Sequence, residues 1–158
     1  MTTPTSEPIK FAADRMLGRL AKWLRVIGQD VIYGRHLSGY GLIRAARSEK
    51  RLILTRDRGL KNKQPPEFIF IDSNDYHEQL RQVVEACQLR IGGALFTRCL
   101  NCNSVLQARL KDSVETLVPP YVFSTHVEFF WCPECRRVYW PATHHQKMLE
   151  ELKKIGVL

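Results

Sequence analysis

Apolar residues in this chain follow one rhythm up to about residue 93 and another beyond it. In the first part they form short unbroken runs: Ile9-Lys-Phe-Ala-Ala13, Asp30-Val-Ile-Tyr33, Leu52-Ile-Leu-Thr55 and Phe68-Ile-Phe-Ile71. Runs of this length without polar alternation fit strands buried on both faces. Between them the spacing turns helical. Leu17, Leu20, Leu24 and Ile27, with Trp23 beside them, predict a helix over 15–27, and Gly28 stands where a helix terminates. Further helices are predicted over Leu42–Glu49 and Asp75–Cys87, the latter carrying Leu80, Val83, Val84 and Cys87 on one face. A short helical turn and the Pro65-Pro66 break separate the third and fourth strands. Strands alternating with helices predict an α/β fold, a parallel sheet flanked by helices.

Ile91-Gly-Gly93 marks the change. Beyond it the chain predicts short β pieces at Leu95–Thr97, Val105-Leu106, Tyr121–Phe123, Val127–Trp131 and Val138–Trp140, with Pro119-Pro120 between them. A terminal helix is predicted over His144–Ile155, with Met148, Leu149 and Leu152 turned inward. Three units are therefore expected: a disordered tail over 1–8, an α/β domain over 9–93, and a small module with a C-terminal helix over 94–158. The start, Met1-Thr-Thr-Pro-Thr-Ser-Glu-Pro8, lacks the basic and apolar regions of a secretory signal. No apolar run reaches the roughly 18 residues of a membrane span, so no membrane partner is expected.

Cysteines give the small module its chemistry. Cys99-Leu-Asn-Cys102 and Cys132-Pro-Glu-Cys135 each carry two thiols at the spacing that lets both reach one ion from a tight turn. Four thiolates make a closed tetrahedral site, the arrangement of structural zinc, with no open position for chemistry. The module then reads as a zinc ribbon, the ion replacing a core too small to hold by itself. Free thiols acting as ligands fit a reducing, cytoplasmic location. Cys87 reads as a small core residue, and Arg19 and Arg25 as exposed helix positions. Trp131, Tyr139 and Trp140 are expected to pack the ribbon against its host domain.

Charge changes the picture further. The 158 residues hold 24 Lys and Arg against 16 Asp and Glu, a net charge of +8. The excess is densest from Arg44 to Lys63, where only Glu49 and Asp57 are acidic. Such a field suits a polyanion, since binding phosphates releases counterions; it is equally the mark of a solvated surface. Against this background three acids share one address: Asp14 follows the first strand, Asp57 the third, and Asp72 or Asp75 the fourth. In a parallel sheet those positions gather on the carboxyl edge, where α/β proteins bind ligands. Clustered carboxylates favour a hard divalent cation such as Mg2+ or Mn2+. Helix capping competes for each of them, and Asp75 with Glu78 reads as a capping box.

Two further stretches, with the cysteine turns, make the reading specific. The run Phe11-Ala-Ala-Asp-Arg-Met-Leu-Gly-Arg-Leu-Ala-Lys-Trp-Leu-Arg25, the run Arg51-Leu-Ile-Leu-Thr-Arg-Asp-Arg-Gly-Leu60 and the tail of the second cysteine turn, Cys-Arg-Arg-Val-Tyr-Trp-Pro-Ala-Thr-His144, resemble the Mut-7 C-terminal RNase domain family. The resemblance runs from about Lys10 to the C-terminus. It implies a PIN-like nuclease fold with a zinc ribbon, cleaving RNA through divalent metal held by Asp14 and Asp57, with Asp75 as a further member. Arg15, Arg56 and Arg58 would steady the phosphate backbone of a single-stranded RNA. One departure stands out: where the family carries acids between the second strand and its helix, this chain reads Arg35-His-Leu-Ser-Gly-Tyr-Gly-Leu42. Two functions follow as expectations, a metal-dependent ribonuclease and an RNA-binding adaptor with a decayed centre.

Overall fold

The computed structural model describes residues 7–158. The first six residues of the tail expected over 1–8 lie outside the described residues. The α/β part runs β1 Lys10–Ala13, α1 Gly18–Val26, β2 Asp30–Tyr33, α2 Gly39–Glu49, β3 Leu52–Thr55, β4 Phe68–Phe70 and α3 Tyr76–Ala86. A one-turn 3-10 helix, Leu60–Lys63, links β3 to β4. All four strands are parallel, in the order β2-β1-β3-β4. The unbroken apolar runs have a direct cause. Phe11, Ala13 and Leu54 enter the main core with Leu20 and Leu24 of α1 and Leu80 and Val83 of α3. Ala12 and Ile53 point the other way, against Leu42, Ile43 and Ala46 of α2 and Leu60 of the 3-10 turn. Each central strand is sealed on both faces, so both positions of its two-residue period are apolar apart from the strand ends, Lys10 and Thr55.

The second part contains β5 Gln107–Arg109, α4 Pro120–Thr125, β6 Phe129–Cys132, β7 Arg137–Tyr139 and α5 Thr143–Ile155. Its three strands form an antiparallel sheet in the order β5-β6-β7. Tyr121–Phe123, expected as a strand, is helical. Pro120 occupies the first turn of α4, where its fixed φ favours a helix and its missing N–H costs nothing. Leu95–Thr97 forms turns rather than a strand, with Phe96 at φ +58°. Val105 makes only an isolated bridge to Arg98. The strand that does form, β5, is exposed at all three residues and carries no apolar signal to read. Val114, Val118 and Phe129 make a small core of their own, joined by Val138 and Trp140. Trp140 therefore packs within the small module and not against the α/β part, contrary to expectation.

Several contacts cross residue 93. Leu152 and Ile155 of α5 are fully buried in the main core, and Arg81 of α3 donates to the Ile155 carbonyl. Arg25, expected on the surface, is buried. Its Nε and Nη2 donate to the Val31 carbonyl, and its Nη1 donates to the Leu100 and Asn101 carbonyls of the first cysteine turn. Asn103 accepts the N–H of Val31 through Oδ1 and donates through Nδ2 to Asp30. Edge strand β2 thus spends an outward-facing N–H on a side chain of the cysteine-bearing turn. Gly28, at φ +90°, permits a close approach of the same region, since a Cβ there would lie 2.2 Å from the Ala94 carbonyl oxygen. Among the described residues no helix is long and apolar enough to cross a membrane.

Asp30 carries this junction, bonded to Asn103 and, at 2.7 Å, to Arg51, whose side chain is 7% exposed. Burial opposes its ionisation, but the hydrogen bonds from Arg51 and Asn103 outweigh that and hold its carboxyl below the ordinary value. A folded-state value below the unfolded one gives stability that is present above about pH 4 and is lost as pH falls through the folded value. Asp30→Asn is expected to be less stable than wild type at pH 7, with the gap closing below pH 4. Urea midpoints measured from pH 7 to pH 2 test this; a gap constant with pH would refute it.

Candidate active cleft and cysteine cluster

Strands β1 and β3 are neighbours, whereas β2 lies on the far side of β1. The connections leaving these strands therefore diverge and open a crevice at their carboxyl ends. A cleft of about 360 Å3 occupies that place. Asp14, Arg15 and Met16 line it from the end of β1, Thr55 to Arg58 from the end of β3, and Ser38, Gly39 and Leu42 from the start of α2.

Asp14 is buried, at 3% exposure, which is tolerable only because donors meet both of its oxygens. Oδ1 accepts the N–H of Met16 at 2.7 Å, which ties down the turn into α1. Oδ2 accepts the Thr55 hydroxyl at 2.7 Å and the Arg56 N–H at 2.8 Å, fastening the end of β1 to the end of β3. The fully buried Thr55 Oγ1 accepts, in turn, the N–H of Asp57 at 3.0 Å. Asp57 is exposed. Its Oδ1 accepts the Gly59 N–H at 2.8 Å, and among the described residues Oδ2 has no protein partner. Thr55 thus links the two acids. Sequence reading passed over it, although a polar residue closing an apolar strand two positions before Asp57 was a visible signal.

The structure brings Asp14 and Asp57 into one cleft but does not bring Asp75 there. Asp75 is the N-cap of α3, its Oδ1 accepting the N–H groups of His77 and Glu78. The reciprocal bond of a capping box takes a detour: the Asp75 N–H donates to Ser73 Oγ, which is itself bonded to the Glu78 carboxylate. Asp72 is exposed, 3.7 Å from Arg58. Arg15 and Arg58 are exposed at the cleft. Arg56 donates to the Asp72 carbonyl, and its buried Nε has no partner. The α2 side of the cleft supplies Ser38, Gly39 and Leu42, hence no carboxylate.

At the small module the sulfurs of Cys99, Cys102, Cys132 and Cys135 all lie within 4.8 Å of one another. The Cys99–Cys135 and Cys102–Cys132 separations are 3.9 and 3.3 Å, against about 3.8 Å expected around a tetrahedral zinc with Zn–S bonds near 2.3 Å. Soft donors, number and spacing all fit, so the cluster could hold a metal ion such as zinc. Polar groups surround it: Asn101 Nδ2 and the Cys135 N–H point at the sulfurs of Cys135 and Cys132, Ser104 Oγ lies 3.3 Å from Cys102, and Tyr139 pairs with Cys99 at 3.0 Å. Donors to sulfur disperse the charge of metal-bound thiolates. Burial works against a charged Cys102, yet the Ser104 contacts hold it down to about 6. Burial pushes Cys132 up to about 12, with its thiol neighbours adding to the effect. Burial and Cys99 also raise the Tyr139 phenol, leaving it a donor. Among the described residues this is the one group of three or more His, Cys, Asp or Glu side chains gathered closely enough to share an ion.

Fold and site together define an α/β protein with an acid-lined cleft at the carboxyl edge of a parallel sheet and an appended four-cysteine cluster. The chain belongs to the family of the Mut7-C RNAse domain, whose model matches residues 9–152, and this membership points to a nuclease-like function. Neither a search of curated proteins nor one of solved structures finds a match.

The two cleft acids should answer differently to substitution. Asp14→Ala strips three donors of their acceptor and is expected to cost about 2–3 kcal/mol. Asp57→Asn, at an exposed position, should stay within about 0.5 kcal/mol of wild type. Equal losses in chemical denaturation would show that Asp14 does not join β1 to β3.

Proposed function

We propose that this protein is a metal-dependent ribonuclease, probing single-stranded RNA and cutting internal phosphodiesters at the β1–β3 cleft. The observation that carries this reading is the pairing of Asp14 and Asp57 in one crevice, ringed by Arg15, Arg56 and Arg58, in a chain of the Mut7-C family. Two carboxylates and water suit Mg2+ or Mn2+, which keep several waters when bound. Such an ion supplies an activated water and neutralises charge on the phosphoryl group. Asp14 offers a carboxylate fixed by three hydrogen bonds, and Asp57 offers one with a free oxygen turned to solvent. The arginines would draw in the RNA backbone and fix its register, as phosphate contacts do. Asp75, occupied at the start of α3, would act by holding that helix.

The cysteine cluster completes the proposal as a structural zinc site in a reducing, cytoplasmic setting. Its closed coordination assigns the ion to folding. A second reading keeps RNA binding and drops cleavage, making the protein an adaptor. It is favoured by the absence of any carboxylate from the α2 wall of the cleft.

Labelled single-stranded RNA incubated with the zinc-loaded chain, with and without added Mn2+, separates the two. The ribonuclease predicts internal cuts that require added Mn2+ and that Asp57→Asn slows about a hundredfold, with RNA affinity kept within about twofold. Binding without cleavage would favour the adaptor, and no salt-dependent binding would end both. For the ribbon, metal analysis should return about one zinc per chain. Cys132→Ser should abolish retention and lower the melting temperature of the whole chain in one transition, because α5 and the first cysteine turn are built into the α/β part. Full zinc loss with unchanged melting would contradict a structural role.

A further inference from the structure

Beyond Asp57 and Arg58 the acid-lined cleft continues into a second groove of about 350 Å3, lined by these two residues with Lys61, Phe68 and Phe70. Its apolar wall is unusual for a small parallel sheet. Phe68 and Phe70 pair in register with Ile53 and Thr55, so they lie on the α2 side of the sheet. On that side α2 packs chiefly over β1 and β3 and against the 3-10 turn rather than over edge strand β4. Ile69, on the opposite face, packs against the main core; the two phenylalanines join neither of the sheet's core clusters. Phe68 is 36% exposed. Opposite them stand the exposed cations Arg58 and Lys61.

Aromatic rings beside cations, in direct continuation of a cleft suited to a phosphodiester, match one ligand chemistry. We propose that this groove is a nucleobase subsite, in which an unpaired base next to the bound phosphate stacks on Phe68 and Phe70 while Arg58 and Lys61 hold the adjoining backbone. The inference rests on the ribonuclease reading for the position of the phosphate and adds to it the selection of single strands. Stacking of this kind tolerates any base, because every base has a π-face. In a duplex that face is already covered by neighbouring base pairs, so paired RNA gains nothing from the phenylalanines. A protein segment could also cover two phenylalanines, but the cations and the shared Asp57–Arg58 wall favour a nucleotide as the occupant.

Equilibrium binding of the zinc-loaded full chain, without added Mg2+ or Mn2+, tests the subsite separately from catalysis, using a fluorescent single-stranded RNA, its duplex, and the same strand carrying abasic positions. Phe68→Ala is expected to weaken the intact strand about tenfold while leaving duplex and abasic RNA unchanged. Phe68→Tyr should restore binding, which controls for folding. The salt dependence should keep its slope in Phe68→Ala and lose about one unit in Arg58→Gln. Equal weakening on intact and abasic strands, no effect of Phe68→Ala, or no RNA binding at all would overturn the proposal. Failure of the ribonuclease reading alone would show as base-dependent binding without Mn2+-dependent cleavage.

Discussion

Four sulfur atoms held within 4.8 Å of one another are the constraint on which the rest of this molecule leans. Apart from α5, which is buried in the main core, the small module has a core of its own of only three fully or nearly buried residues, too little to hold it by apolar burial alone. Its first cysteine turn nevertheless serves the large sheet. Arg25 reaches out of α1 to the carbonyls of Leu100 and Asn101, and Asn103 takes up the edge N–H of Val31. If the turn loosened, buried Arg25 would face carbonyls that no longer accept, and β2 would expose a strand edge. An ion held by the four sulfurs would thereby support the order of the parallel sheet through these contacts. The burial that disfavours Arg25's charge is opposed by Cys102, Cys99 and Asp30, so the same guanidinium also balances the sulfurs.

The cleft is built from a conflict of a different kind. A carboxylate buried like that of Asp14 would be costly without partners, and it has three donors, two of them from the neighbouring strand's end. The bonds that make Asp14 affordable also fix its position, so structural and chemical roles cannot be separated at this residue. Asp57 is the complement. It hangs on a turn anchored by Thr55 and Gly59, with one oxygen uncommitted. On the proposed reading, a rigid acid beside a freer one would let a cation adjust its shell while one ligand direction stays constant, which is how a preorganised site differs from two surface carboxylates.

Strand runs, helix spans and the cysteine pairs could be read from the chain because each rests on local spacing. Gly28 ended α1 as its position implied, and Asp75 capped α3. What could not be read depends on contacts distant in sequence. Arg25 looks like a solvent-facing helix residue until the first cysteine turn, some 75 positions away, supplies acceptors. Tyr121–Phe123 has the composition of a strand, but the two prolines ahead of it set up a helix. β5 shows no pattern because it is open to solvent on both faces. In the cleft, both acids were legible as strand-end residues, whereas Thr55 looked like the last residue of a strand. The choice between Asp72 and Asp75 as a third acid could not be made from spacing, since both follow β4 and only the fold shows neither lining the cleft.

The basic stretch from Arg44 to Lys63 also resolves into parts with separate physics. Arg51 is withdrawn from solvent into pairs with Asp30 and Glu49 and contributes nothing to an outward field. Arg47 donates to the Gln64 carbonyl, and Lys63 sits over the exposed ring of Tyr40, so these remain cationic but are partly held in place. Arg56 and Arg58 stand at the cleft itself, beside Asp14 and Asp57. Cations and anions that share one crevice in this way cancel at long range and act at short range. On the proposed reading they would do little to steer a distant polyanion and much to discriminate a phosphate that arrives with its own divalent ion. Long-range attraction would fall instead to more peripheral exposed cations such as Arg44 and Lys50, which salt screens strongly. Capture and positioning would thus fall to different residues of one continuous segment, even though the sequence shows them as a single run of charge.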